Sequence, residues 1–360
     1  MLLTSLAIPA DAVVRRKPDA AWQADGRVYA VARAGNRIYL AGDFKALTDG
    51  HGHSVPRTRL AALDASTGAP IDSWTPNASG IVRAIEPSAD GSKLFIGGDF
   101  DSVNGQPRHR LAAIRASDGA TVRDWAPSAS GGAVYSVKVY GGTVYVGGGF
   151  TSVSGTKLPH LAAIDARTGS LLHGFDPEPD ATVRGVSVSP DGGIVYLGGK
   201  FSHVNGTSRS NAAAVDASSG AVKSWSPDPG YPLLDIVATS TGVYMAGAGG
   251  GGTLGAFDAV PSDSKQWEIH SDGNFQAVGV LGDTVYGGGH FDKIGTTTRH
   301  KILGVTRGGG HLESWDPGAN SSVGVRGLLG YGNKLYMTGD FTSVAGSARK
   351  GFAQFTDPGL

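Results

Sequence analysis

The chain has 360 residues, 57 of them glycine and 18 proline, and its 31 basic and 31 acidic side chains cancel. Such a surface has no net field to gather phosphate backbones or anionic lipid, so neither nucleic acid nor a membrane surface is an expected partner. No cysteine is present, which excludes disulfides, thiolate metal sites and a cysteine nucleophile. No apolar stretch approaches the ~20 residues of a membrane helix, so membrane insertion is not expected.

In chain order, residues 1–12 (MLLTSLAIPADA) come first: a short apolar run closing on Ala10-Asp11-Ala12, the pattern of a signal-like remnant without its basic start. A secreted, extracellular protein is expected on that ground. Trp22 follows, and then a strand-like segment ending in an aromatic and glycine recurs seven times. The aromatics are Tyr39, Phe95, Tyr145, Tyr196, Tyr244, Tyr286 and Tyr336, at intervals of 56, 50, 51, 48, 42 and 50 residues. A second marker recurs in phase at Trp22, Trp74, Trp125, Phe175, Trp225, Trp267 and Trp315. Between them lies a third block, as in RLAALDASTG from Arg59, HLAAIDARTG from His160 and KILGVTRGGG from Lys301.

Apolar residues in these blocks alternate or run for four to six positions and stop at glycine-containing turns, which is strand and turn chemistry. No segment holds a 3.6-residue period for the length of a helix. A repeat of this length is a supersecondary unit that must stack on its neighbours to bury its apolar face. The fold class is therefore all-β, and four short strands per repeat predict a seven-bladed β-propeller with four-stranded blades. The first marker, Trp22, is a fourth strand without its preceding three, while the last repeat stops at its third strand near Phe355. The N-terminal strand around Trp22 is accordingly expected to complete the last blade and close the ring. The repeats run without a linker, so residues 13–360 read as one domain.

In this order of strands, one face carries minimal turns (RAGN, SADGS, YGG; STG, SDG, RTG), and the other carries long links such as DSVNGQPRHR, SHVNGTSRS and DKIGTTTRH. Function on a rigid scaffold concentrates in such links. They are rich in His51, His53, His109, His160, His203, His290 and His300, and in Arg57, Arg59, Arg108, Arg110, Arg209, Arg299 and Arg349. Neutral histidine and planar arginine give directional hydrogen bonds to hydroxyls and carboxylates. Arg59, Arg110 and Arg349, near the third strand, are expected to pair with the aspartate of the GDF segments (Asp43, Asp99, Asp340) or to cap a carbonyl. His51-Gly-His53 lacks the further ligands a zinc site needs and reads as surface loop. The aspartates of Ser88-Ala-Asp-Gly and Ser189-Pro-Asp-Gly are turn residues. The carboxylates of Asp176-Pro-Glu178-Pro-Asp180 lie in proline-rich links and read as solvated.

The fifth repeat lacks its long link: MAGAGGGGTLGAFDAV stands where the others make their excursion. A notch is expected there, walled by an aromatic pair, Tyr231 and Phe275, with His203, His270 and His290. These five, with His109, His160 and His300 on the same face, are the candidate ligand-binding residues. No catalytic residue, metal site or cofactor is assigned.

The repeat, roughly GGDFxxVNGxxRxxLAAIDxxTGxxxxxWxP, resembles the delta-60 type repeat propellers of secreted bacterial proteins over about residues 18 to 357. More loosely, LAALDASTGAPIDSW (Leu60 to Trp74) is similar to the tryptophan-docking motif of quinoprotein dehydrogenases. Those enzymes have eight-bladed rings with a vicinal disulfide and a calcium-quinone centre, whereas this chain has no cysteine and seven markers. The resemblance implies a secreted, lectin-like binding propeller. The expected ligand is carbohydrate or a cell-surface partner; the alternatives are a structural subunit of an extracellular, toxin-like assembly bound to other protein subunits, and a hydrolase or lyase acting on polysaccharide.

Overall fold

In the computed structural model, which describes residues 14–360, the chain has no helix among the described residues. The signal-like remnant at residues 1–12 lies outside the described residues. Seven antiparallel sheets follow one another, each built as an up-and-down meander around one aromatic marker. Their inner strands are Arg27–Ala34, Val82–Pro87, Val134–Tyr140, Val183–Val188, Leu233–Thr239, Phe275–Leu281 and Val325–Tyr331. The middle strands are Arg37–Asp43, Lys93–Gly98, Thr143–Gly148, Ile194–Gly199, Gly242–Gly247, Thr284–Gly289 and Lys334–Gly339, and a third strand follows in each, from Leu60–Asp64 to Phe352–Thr356.

The fourth strand expected in every repeat is regular only in the fifth, at Lys265–His270. In five of the others it shrinks to an isolated bridge, Leu63 with Pro70, Ile114 with Thr121, Ile164 with Leu171, Val215 with Val222 and Val305 with Leu312. The chain then turns away to bury the second marker. Prolines such as Pro70, Pro76 and Pro127 remove donors that a longer ladder would need.

Both markers are packing between sheets. Tyr39 lies 5.2 Å from Trp74, Phe95 4.9 Å from Trp125 and Tyr196 5.1 Å from Trp225, measured between ring centroids. Each indole then donates to a carbonyl of the following sheet: Trp74 Nε1 to Arg115 (3.2 Å), Trp125 to Asp165 (3.0 Å), and Trp267 to Arg307 (2.9 Å). The glycine pairs explain how close the sheets come. A Cβ on Gly97 would overlap the Val134 side chain of the next inner strand, and one on Gly98 would strike the Ile81 carbonyl of its own sheet.

The first described residues meet the last sheet. Arg15 N–H donates to the Thr356 carbonyl and Asp19 N–H to that of Gln354, both at 2.8 Å, so residues 15–19 run along the last third strand. Lys334 Nζ and Thr356 Oγ1 each donate to the Asp19 carboxylate at 2.7 Å. Trp315 Nε1 donates to the Arg15 carbonyl, in phase with the other indoles. The segment that pairs lies upstream of Trp22, as the bridge residues lie upstream of Trp74 and Trp125. First and last sheets also share a core, with Val28, Ile38 and Leu40 packed on Tyr336 and Phe352.

Each of the six long links holds a small hairpin, for example Ser102–Val103 with Gln106–Pro107 and His203–Val204 with Thr207–Ser208. Asn104 and Gly105 (φ 50° and 73°) and Asn205 and Gly206 (46° and 68°) both sit in the left-handed region, the requirement of a two-residue type I′ turn. The link then enters its third strand through another left-handed residue, Arg59, Arg110, His160, Asn211 or Lys301. The strain of a side chain there is held by paired backbone bonds, as when Arg110 N–H donates to the Phe100 carbonyl while Gly98 N–H donates to that of Arg110.

Candidate functional site

Every inner strand carries a bulge at one and the same place, just after its first buried apolar residue. The register slips between Val28 and Ala30, Val82 and Ala84, Val134 and Ser136, Val183 and Gly185, Leu233 and Asp235, Phe275 and Ala277, and Val325 and Gly327. A bulge leaves one residue unpaired and re-aims its side chain. Here the seven unpaired residues are Tyr29, Arg83, Tyr135, Arg184, Leu234, Gln276 and Arg326, and together they line a cavity of about 260 Å³. Below it a cavity of about 370 Å³ is lined by all seven inner strands, which places both on the axis around which the sheets are arranged. The bulges lie at the start of the inner strands, so the collar opens on the hairpin face.

Arginine and tyrosine alternate around most of this collar. Arg83 lies between the rings of Tyr29 and Tyr135, 5.3 and 5.4 Å from their centroids; Arg184 covers Tyr135 at 4.0 Å and Arg326 covers Tyr29 at 5.1 Å. Stacking on an aromatic face holds a guanidinium without consuming its N–H donors. Arg83 is neutralised by Asp99, with Nε 2.5 Å from the carboxylate. Arg326 is half-buried, and burial is the main cause that lowers its pKa, with Arg27 and Arg83 acting in the same direction.

Deeper in the channel, Lys138 Nζ donates to Glu86 at 3.2 Å, and the Glu86 charge holds the lysine pKa above its ordinary value. Asp235 accepts from the N–H groups of Ile236 (2.9 Å) and Val278 (3.0 Å). Ser136 and Ser187 likewise accept from Val186 N–H and Ala238 N–H, so these side chains satisfy donors on neighbouring inner edges. Burial pushes the Asp235 carboxyl up to about 6.

The residues singled out from sequence are dispersed. Phe275 is no exposed wall: it is fully buried, 4.6 Å from the Phe291 ring, because it is the first apolar residue of its inner strand, in phase with Val82 and Val134. Tyr231 is half-buried in a different core cluster, its hydroxyl donating to Glu268 at 3.1 Å and its ring filling the space beside Gly247. The notch therefore has no aromatic pair on its walls. His203 faces Asp180 at 3.1 Å, His109 faces Asp101 at 3.3 Å and His300 faces Asp292 at 2.9 Å, each within its own repeat. His270 Nδ1 is 3.3 Å from Thr253 Oγ1, and His290 is exposed at a strand end. His160 occupies a left-handed position, and burial lowers its pKa. His53 Nδ1 contacts Asp49 at 2.7 Å. The structure gathers none of these histidines into one site.

The arginines of the links are mostly fasteners. Arg57, Arg108, Arg209 and Arg299 each donate to the preceding carbonyl and, fourteen residues on, to a carbonyl of the segment that holds the second marker. Arg349 makes the equivalent bond to Asp19 across the chain ends. Of the expected aspartate pairs, Arg59 has Asp43 at 3.5 Å, whereas Arg110 caps the Ala129 carbonyl.

A family model described as outer membrane protein assembly factor BamB matches residues 24–298. Among solved structures, the WD40 β-propeller domain of Doa1 superposes with a TM-score of 0.62 at 11% identity, over 94% of this chain and 96% of that one. The computationally designed Ika8 protein superposes at 0.58 with 12% identity, over 94% and 100%. No curated protein matches the sequence. The fold is a β-propeller.

Proposed function

We propose that this chain, which belongs to the family described as outer membrane protein assembly factor BamB, is a secreted, non-catalytic binding propeller that recognises carbohydrate or a cell-surface partner through its hairpin face. The reading takes the ring as seven-bladed and closed by the N-terminal segment, a single domain over residues 13–360 of the delta-60 repeat type. The hydrogen bonds of Arg15 and Asp19 to the last strand support closure.

One observation carries the binding role: seven bulges at one and the same strand position aim side chains of four kinds, Arg, Tyr, Leu and Gln, into a single axial mouth. A bulge kept in every repeat but filled differently is a place where the scaffold is held and the surface varied. The site shifts from the notch to this mouth, on the same face. Among the described residues, none around it assemble a nucleophile, base and oxyanion donors at reacting distance, which favours binding over catalysis. Screening the purified chain on a glycan array tests the reading. Glycan hits that weaken when collar residues are replaced are expected. A tightly co-purifying protein with no glycan hits would favour the structural-subunit alternative, and release of reducing ends from polysaccharide would favour a hydrolase or lyase.

A further inference from the structure

Resting on that reading, the geometry points to an acidic saccharide, a sugar bearing a carboxylate, as the ligand of the axial mouth. The collar is not symmetrical in its chemistry. Going round it, Arg83 is paired with Asp99; among the described residues Arg184 is in no ion pair and stacks on Tyr135, and Arg326 stacks on Tyr29 in no close ion pair, with the Asp340 carboxylate acting on it from a distance. These two arginines stand on either side of the arc that Leu234 and Gln276 fill. A chain with no net charge thus presents two arginines without a close ion pair, flanking the arc of Leu234 and Gln276.

Two polar atoms in this arc are buried and lack partners, and they are of opposite kinds. Arg326 Nε is a donor, and Gln276 Oε1 is an acceptor. The amide orientation of Gln276 is fixed by its Nε2, which donates to the Val323 carbonyl at 2.8 Å. A simple dianion would answer the arginines and leave the acceptor unsatisfied. A molecule carrying both a carboxylate and hydroxyl groups answers both: the carboxylate takes the guanidinium N–H donors, a hydroxyl donates to Gln276 Oε1, and the carbon face of the sugar ring lies on Leu234. The cavity at the mouth is about 260 Å³. The ion pair of Lys138 with Glu86 lies below, where it lets a chain end enter but gives no second free cation.

Isothermal titration with an α-1,4-linked galacturonic acid hexamer tests this, alongside its methyl ester, which keeps the sugar and removes the charge. The acid is expected to bind and the ester to bind at least tenfold more weakly. Arg184→Gln and Arg326→Gln should each lower affinity for the acid roughly tenfold or more. Both should unfold within a few degrees of the parent, since neither side chain has a protein hydrogen bond to lose and each gives up one cation–π contact. Arg123→Gln, an exposed arginine away from the mouth, should bind like the parent. Added salt should weaken the parent more steeply than either collar variant. Gln276→Leu should weaken the acid without changing the salt dependence. Equal binding of acid and ester would overturn the inference while leaving carbohydrate recognition standing, as would glycan-array hits confined to neutral sugars. Equal binding of a sulfated oligosaccharide, or displacement of the hexamer by inorganic sulfate at matching concentration, would show a site for anions in general and overturn the assignment to a sugar carboxylate. Absence of any glycan hit would instead remove the carbohydrate reading itself.

Discussion

Replacing Trp125 with alanine isolates what the second aromatic marker does. The indole is fully buried, sits 4.9 Å from the Phe95 ring and donates from Nε1 to the Asp165 carbonyl at 3.0 Å. Truncation therefore leaves a large cavity between the second and third sheets and deletes one bond across them. Buried Trp→Ala changes cost about 3–5 kcal/mol. The bond contributes about 1 kcal/mol of this, because the Asp165 carbonyl keeps a second donor, Gly169 N–H. Trp125→Phe keeps most of the ring and loses only the bond, so it should cost about 1–2 kcal/mol. The chain carries its own precedent: Phe175 takes the marker position in the next repeat, buried against Tyr145 at 5.4 Å. Urea unfolding of the three proteins, followed by tryptophan fluorescence and circular dichroism, measures the difference. A loss below 1 kcal/mol for alanine, or equal losses for alanine and phenylalanine, would refute the assignment of this residue to inter-sheet packing.

Phe275→Ala should also lose about 3–5 kcal/mol, read from the same unfolding curves, since the side chain is core. Asp235 should give a pH signature. Its folded pKa, raised to about 6, exceeds the unfolded value of 3.8, so its contribution to stability is complete below about pH 4 and is lost as pH rises through about 6. Asp235→Asn should flatten that pH dependence in melts run from pH 4 to 8, while lowering stability at pH 4 by about 1–3 kcal/mol, because its amide has one acceptor oxygen for the two N–H donors of Ile236 and Val278. Deleting residues 13–25 removes the bonds from Arg15 and Asp19 to the last strand and bares its edge, so the melting temperature should fall by several degrees and light scattering should reveal aggregation.

The repeat, the strands and the packing role of the aromatics were legible because each is written as a period. Tyr39, Tyr145 and Tyr286 fall on middle strands, and Trp74, Trp125 and Trp225 fall in the core, as the phase of the markers demands. The fourth strands were over-read, because one bridge and a turn leave the same alternation as a short strand. The collar was hidden for a different reason. A bulge adds one residue and shifts the alternation by one, a slip that strands of six to eight residues are too short to display, so the pattern does not single out Tyr29, Arg83 and Arg326. Stacking the seven inner strands on their first apolar residue would have exposed it, since the next position runs Tyr, Arg, Tyr, Arg, Leu, Gln, Arg. The same stacking places Phe275 beside Val28 and Val325 and marks it as core. The link histidines misled because their composition suits a ligand, whereas in the fold His109, His203 and His300 each turn to an aspartate of their own repeat.

A crystal structure of the chain soaked with its best glycan-array hit tests the central claim most directly. The sugar should lie in the axial mouth, within hydrogen-bonding distance of Arg184, Gln276 and Arg326. A sugar bound instead on the outer hairpins, or beside Tyr231 in the gap of the fifth repeat, would contradict it.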